Sequence, residues 1–276
     1  MSTASGPIKS ILKYTFYYGL ALIWIIPIIW MAITAVKPTP EVMSFTPNWL
    51  PSAITFEHFR DLLDKRPFFL WLANSFQVSL LATVITIVVT TFAAYSLARM
   101  KWRGRNVVFA ILLSAMFIPW EINSIPLFFI VKDLGLLNTF WAVALPLSAL
   151  PVSLFLLRQF FINIPTELED AARIDGCGHL RILWHIIIPV SLPAYGALAI
   201  FIFVFSWNEF FWSLVALQRS GVRTMPIGLK TLVAASDIQY DLMMAGSFMA
   251  TLPALIIFLV LRRHVISGIS MAGVQR

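Results

Sequence analysis

The chain has 276 residues, 59% hydrophobic and 12% charged, with a mean hydropathy of +0.85 and a formal net charge of +7. Soluble domains carry about a quarter charged residues, so this composition excludes an ordinary soluble enzyme or binding module and indicates a polytopic membrane protein. The single cysteine, Cys177, excludes an intrachain disulfide and a cysteine-based metal site, and reads as a small apolar side chain in a turn.

Two lysines precede the first long apolar run, which exceeds a signal-peptide core and lacks a small-residue cleavage site after it; it reads as a retained first span. Stretches near the roughly 20 residues needed to cross a bilayer occur at 14–36, 70–98, 107–131, 139–157, 186–215 and 242–262. Proline punctuates four of them: Pro27 in the first, Pro119 and Pro126 in the third, Pro146 and Pro151 in the fourth, and Pro253 in the sixth. The fifth is expected to run unbroken from Ile186 past Trp207. The predicted class is therefore all-α, with six transmembrane helices and no separate soluble domain.

The connections set the orientation. One side holds 12 Lys and Arg with four acids (Lys9, Lys13 and Arg99 among the cations); the other holds 8 with seven acids. By the positive-inside rule the first side is cytoplasmic, which places both termini and the loop at 164–189 there. The excess charge thus reads as topology and not as a nucleic-acid patch. The outer connections, about 33 residues at 37–69, a turn near 132–138 and about 26 at 216–241, are too small to capture a solute unaided.

The loop at 164–189 is the longest polar interruption on the cytoplasmic side. Thr166 followed by Glu169 reads as a capping box, each side chain bonding the other's backbone N–H. Leu168, Ala171 and Ala172 fall at i, i+3, i+4, as do Leu180, Leu183 and Trp184. Gly176 and Gly178 lie between the two runs, where a sharp turn calls for positive φ. Two short amphipathic helices joined by a glycine elbow are expected.

Within that loop Asp170-Ala171-Ala172 is followed after three residues by Gly176 and, nine residues later, by Ile186-Ile187-Ile188-Pro189. This spacing resembles the cytoplasmic signature of permeases from binding-protein-dependent ABC importers, with Asp170 for Glu and Ile188 for Leu as conservative departures. The likeness to the carbohydrate subfamily, maltose-type second permease, extends through Thr34-Ala35-Val36-Lys37-Pro38, Asn74-Ser75, Ala94-Tyr95-Ser96-Leu97-Ala98-Arg99, Leu134-Gly135-Leu136-Leu137-Asn138-Thr139, Ser206-Trp207-Asn208-Glu209-Phe210 and the tail from Arg262-Arg263-His264. The resemblance implies that 1–13 is a cytoplasmic N-terminus, 14–69 the first helix and an extracytoplasmic loop, 70–263 a five-helix core, and 264–276 a cytoplasmic tail.

It also implies partners: a second permease forming a heterodimer, two copies of a cytoplasmic ATPase, and an extracytoplasmic solute-binding protein, all at a bacterial or archaeal plasma membrane. The loop becomes a coupling hairpin, with Leu168, Ala171 and Ala172 as an apolar ridge flanked by Glu169, Asp170, Arg173 and Asp175, and Gly176 as its elbow. No Gly-x-x-x-x-Gly-Lys-Ser/Thr loop is present, so ATP and Mg belong to the partner subunits.

Four polar residues lie at membrane depth. Glu121 and Asn123 read either as a pore wall or gate, or as an interface hydrogen bond or headgroup-level site. Asn208 and Glu209 beside Trp207, Phe211 and Trp212 suit a carbohydrate path, although such aromatics more often form an interfacial belt. His58, His179, His185 and His264 show no metal-ligand spacing and receive no chemistry. The expected function is an ABC importer permease for a carbohydrate or related solute. An ion-coupled secondary transporter is the alternative, against which stand the lack of a visible inverted repeat and of acid pairs; no motif supports a membrane enzyme.

Overall fold

Backbone N–H and C=O groups find no water partners in hydrocarbon, so apolar runs of this length close their hydrogen bonds within helices. A computed structural model describes residues 7–44, 46, 48–233 and 239–273, with side-chain surroundings between 11 and 260. Three helices are long and apolar enough to cross a membrane alone: Ile11–Ala35, Phe68–Arg99 and Tyr240–Val260. Three further pairs qualify as broken spans, Arg105–Phe117 with Trp120–Asp133, Phe140–Ser148 with Pro151–Ile162, and His179–Val190 with Leu192–Trp207, bent by 98°, 46° and 77°. All six predicted spans thus find a helical counterpart.

Proline explains where the breaks fall. Pro119 interrupts the third span, whereas Pro126 sits in the first turn of helix Ser124–Asp133, where a missing N–H costs nothing. The fourth breaks at Pro151, the first residue of its second half, and Pro146 stays inside helix Phe140–Ser148. The fifth departs most from expectation. It enters as His179–Ile182, widens into a π-helix over Leu183–Ile187, turns at Ser191 and ends at Trp207, with Phe211–Ala216 as a separate helix. Pro189 and Pro193 each remove a ladder donor within five residues, and the wide turn and the bend absorb the loss.

The chain divides into two units, Met1–Phe68 with Leu229–Leu252, and Phe69–Gly228 with Pro253–Arg276. In the first, the segment after Ala35 is organised by polar contacts. Buried Lys37 reaches the carbonyl of Asn48 and lies 4.4 Å from the Trp30 ring centre, while His58 of helix Glu57–Lys65 meets the Lys37 carbonyl at 2.7 Å. Asp241 accepts from Thr39 at 3.0 Å and faces His58 Nδ1 at 3.5 Å. Lys37, one of the eight cations of the outer connections, is therefore an interior strut.

The second unit has two apolar clusters. One gathers Val78, Ala82, Val143, Leu147, Trp212 and Ile227; the fully buried Trp212 donates its indole N–H to the Ala142 carbonyl at 2.8 Å. The other gathers Tyr95, Leu97, Leu157 and Phe161 around Ala172, Ile182, Leu183 and Ile187, which places the 164–189 segment against the ends of helices Phe68–Arg99 and Pro151–Ile162. The tail motif beginning at Arg262 continues helix Tyr240–Gly273 in its backbone; its side chains and residues 274–276 lie outside the described residues.

Candidate coupling site

The hairpin begins with helix Glu167–Ile174, whose first turn carries Glu167, Glu169 and Asp170 and whose last carries Arg173, a charge order matched to the helix dipole. It ends in a Schellman motif: the Cys177 N–H bonds the Ala172 carbonyl at 2.9 Å and the Gly176 N–H bonds the Arg173 carbonyl at 3.0 Å. Gly176 holds φ +78°, the left-handed conformation this closure requires. Gly178 has φ −77° and ψ 167°, ordinary extended backbone that starts the second helix, so the elbow rests on one glycine.

The predicted capping box does not form. Thr166 makes no side-chain cap bond, because Glu169 turns inward. Its carboxylate is 3% exposed and lies 2.8 Å from Arg99 Nε, itself 6% exposed, at the last residue of helix Phe68–Arg99. Arg173 reaches the other carboxylate oxygen at 3.2 Å and Asp170 at 3.2 Å. Arg99 also donates to the Ile164 carbonyl, and Tyr95 joins His179 Nδ1 at 3.2 Å. Both arms of the hairpin are therefore tied to the last two turns of the second span. Glu169 is an internal anchor and not, as the sequence suggests, a charge flanking a docking ridge.

The exposed ridge also shifts. Ala172 is buried on the inner face with Ile182, Leu183 and Ile187, whereas Leu168 (44% exposed), Ala171 and Ile174 (87% exposed) face outward with Asp170 and Asp175. A rigid, capped helix presenting two large apolar side chains between carboxylates is suited to enter a groove on another protein. Arg99, Tyr95 and His179 escape sequence reading because their partners are distant in the chain; the only signal is that Tyr95 and Arg99 sit four residues apart at a helix end.

The membrane-depth residues separate. Glu209 accepts from the Trp212 and Ser213 N–H groups at 2.7 and 2.8 Å and from the Ser213 hydroxyl at 2.7 Å, capping helix Phe211–Ala216. A carboxylate committed to three donors is a structural cap, which corrects the reading of Glu209 as a path residue. Glu209→Ala is expected to lower stability by about 1–2 kcal/mol. A thermal melt of the purified chain checks this; a change in solute preference at unchanged stability would restore the path reading. Asn208 donates to the Val204 carbonyl at 2.8 Å and is otherwise exposed. Glu121 and Asn123 lie at the 98° break, with no hydrogen bond to Asn208 or Glu209 among the described residues.

Other motif residues hold loops together. Asn74 donates to the carbonyls of Gly221 and Arg223 at 3.1 and 2.9 Å, and Ser75 accepts the Met225 N–H at 2.7 Å. Asn138, at φ +60°, accepts the Arg219 N–H at 2.8 Å and donates its own to the Ala216 carbonyl at 2.9 Å.

Among the described residues, three apolar helices and three bent helix pairs of membrane-crossing length, with a hairpin tied to the end of helix Phe68–Arg99, define a multi-pass membrane permease. Residues 87–265 match the family described as the binding-protein-dependent transport system inner membrane component. The chain belongs to this family and is a permease subunit of an ABC importer, not an enzyme in its own right. It is 34% identical to an arabinooligosaccharides transport system permease of Halalkalibacterium halodurans, with 100% of both chains covered. It is 32% identical to the diacetylchitobiose uptake system permease of Streptomyces coelicolor (91% of this chain, 92% of the other), and 30% to the lactose transport system permease of Rhizobium radiobacter (97% of each). Among solved structures, a chain of a bacterial importer of the acidic polysaccharide alginate shares the fold at TM-score 0.81 and 24% identity, covering 96% of this chain and 99% of that one.

Proposed function

We propose that this subunit forms, with a second permease, the translocation path for a carbohydrate or related solute. Relatives named for arabinooligosaccharides, diacetylchitobiose and lactose support the solute class. Two copies of a cytoplasmic ATPase hold ATP and Mg, and an extracytoplasmic binding protein delivers the solute. The termini and the hairpin lie on the cytoplasmic side, in keeping with the 12-to-8 distribution of Lys and Arg.

The observation that carries the mechanism is the bracing of the hairpin. Leu168, Ala171 and Ile174 seat in the ATPase groove, with Asp170 and Asp175 meeting its cations. Because Glu169 ties this helix to Arg99, and His179 ties the other arm to Tyr95, ATP-driven closure moves the second span together with the spans flanking the hairpin. The stroke opens and closes the path by rigid displacement, and no group on this chain takes part in hydrolysis. Glu121 and Asn123, at the bend of the third span, and exposed Asn208 border the path.

Co-expression with candidate partner subunits, purification through this chain, and assay of ATP hydrolysis with and without solute-loaded binding protein test the reading. An ATPase is expected to co-purify, with hydrolysis rising on addition of loaded binding protein. Uptake driven by an ion gradient without ATP, or purification with no ATPase, contradicts it.

A further inference from the structure

A cavity of about 550 Å³ lies between the end of helix Phe68–Arg99 and the hairpin. Arg99, Lys101, Arg105, Arg173 and His179 line it, against two carboxylates, Glu169 and Asp170. Both carboxylates are already engaged: Glu169 with Arg99 and Arg173, Asp170 with Arg173. Lys101 has no carboxylate partner among the described residues, and Arg105 donates Nη1 to the Met100 carbonyl at 3.0 Å, with further guanidinium donors to offer. Gly104, at φ +89°, makes the turn that brings Arg105 back to the cavity wall. The exposed Thr166, free of its predicted capping bond, adds a hydroxyl.

Positive-inside topology accounts for cations on this side of the chain, but not for their convergence from two separate segments on one cavity. Glu169 and Asp170 offset Arg99 and Arg173, which leaves Lys101 and Arg105 in excess on the cavity wall, and like charges drawn together repel unless a further anion joins them. The cavity stands at the end of helix Phe68–Arg99, a candidate span, and the ends of a helix that crosses a bilayer lie near its headgroups. A phosphate offers several strong acceptor oxygens, which suits guanidinium forks and an ammonium better than a single carboxylate does.

We propose that this cavity binds a phosphate group, supplied by the headgroup of an anionic phospholipid or by a phosphate-bearing solute, with Lys101 and Arg105 on one wall and Arg173 and His179 on the other. A bound phosphate bridges the 100–105 loop to the hairpin and stiffens the lever at its base. The site rests on its own geometry and stands whatever solute the permease carries.

Native mass spectrometry of the delipidated full-length chain tests it, with phosphatidylglycerol and phosphatidylcholine as probes and inorganic phosphate or glycerol phosphate as competitors. Wild type is expected to retain phosphatidylglycerol over phosphatidylcholine, and Lys101→Gln/Arg105→Gln to retain it about tenfold or more weakly, each basic side chain near an anionic surface contributing about 1 kcal/mol. Lys101→Arg, which keeps the charge, retains binding and controls for misfolding. Displacement by the soluble competitors identifies a free phosphate ligand; resistance to them identifies the lipid headgroup, and either supports the site. Equal retention of the two lipids, or no loss in the double variant, overturns it. So does a double variant that sheds a co-purified ATPase while retaining lipid unchanged, which would make the cavity a protein contact.

Discussion

Glu169→Gln is expected to destabilise the permease by about 3–5 kcal/mol, the cost of removing one partner from a buried ion pair. Arg99 would remain 6% exposed beside a neutral amide, still bonded to the Ile164 carbonyl but with no carboxylate to balance its charge. Arg173 would keep only Asp170, an exposed partner of little energetic weight. A thermal melt of the full-length chain in detergent reads the stability, and uptake per ATP hydrolysed in the reconstituted importer reads the coupling. Arg99→Met/Glu169→Leu separates the two roles. Apolar replacement of a whole buried pair is often neutral or stabilising, so the double variant should recover its melting temperature. If the pair sets the register between hairpin and second span, hydrolysis in the double variant still fails to drive uptake. Full recovery of uptake would make the pair a stabilising contact alone, and an unchanged melt in Glu169→Gln would remove even that.

Substitution of Gly176 has the second largest expected effect. A residue with a Cβ pays roughly 1–2 kcal/mol to hold the left-handed conformation, although open space surrounds the position. Relieving that strain opens the Schellman closure and lets the second arm leave its angle to helix Glu167–Ile174. The predicted pattern is a small fall in stability, about 1–2 kcal/mol for Gly176→Val, with a much larger loss of solute-stimulated hydrolysis. Gly176→Asn, which tolerates left-handed φ better, should retain more activity than Gly176→Val. Equal loss in the two would show that size at the elbow matters and backbone conformation does not. Gly178→Ala serves as the comparison: its extended backbone accepts a side chain, and little change is expected.

The hairpin shows how much of a site one chain of residues can disclose. Its position, its helices and the need for Gly176 follow from local spacing, because amphipathic period and positive φ are properties of neighbouring residues. Which face of helix Glu167–Ile174 turns outward does not. Leu168, Ala171 and Ala172 fit an i, i+3, i+4 ridge equally well whether Ala172 or Ile174 completes the exposed side; burial against Ile182, Leu183 and Ile187 chose Ile174. Thr166 and Glu169 have the spacing of a capping box, and the box fails because Arg99 competes for the same carboxylate. Glu209 fails as a path residue for a similar reason, since two N–H groups of a helix the sequence does not separate from the fifth span capture it.

By itself the sequence determined the all-α membrane class, the six apolar passes, the charge asymmetry and the loop spacing that marks the permease family. Each rests on hydropathy, counting or short-range period, which a linear chain carries in full. Only the tertiary structure decided which prolines bend a helix, which charges are struts, and that the hairpin is clamped to the second span. Those outcomes depend on pairing between groups far apart in the chain, Arg99 with the 164–169 segment above all. A buried charge takes whichever partner the packing brings to it.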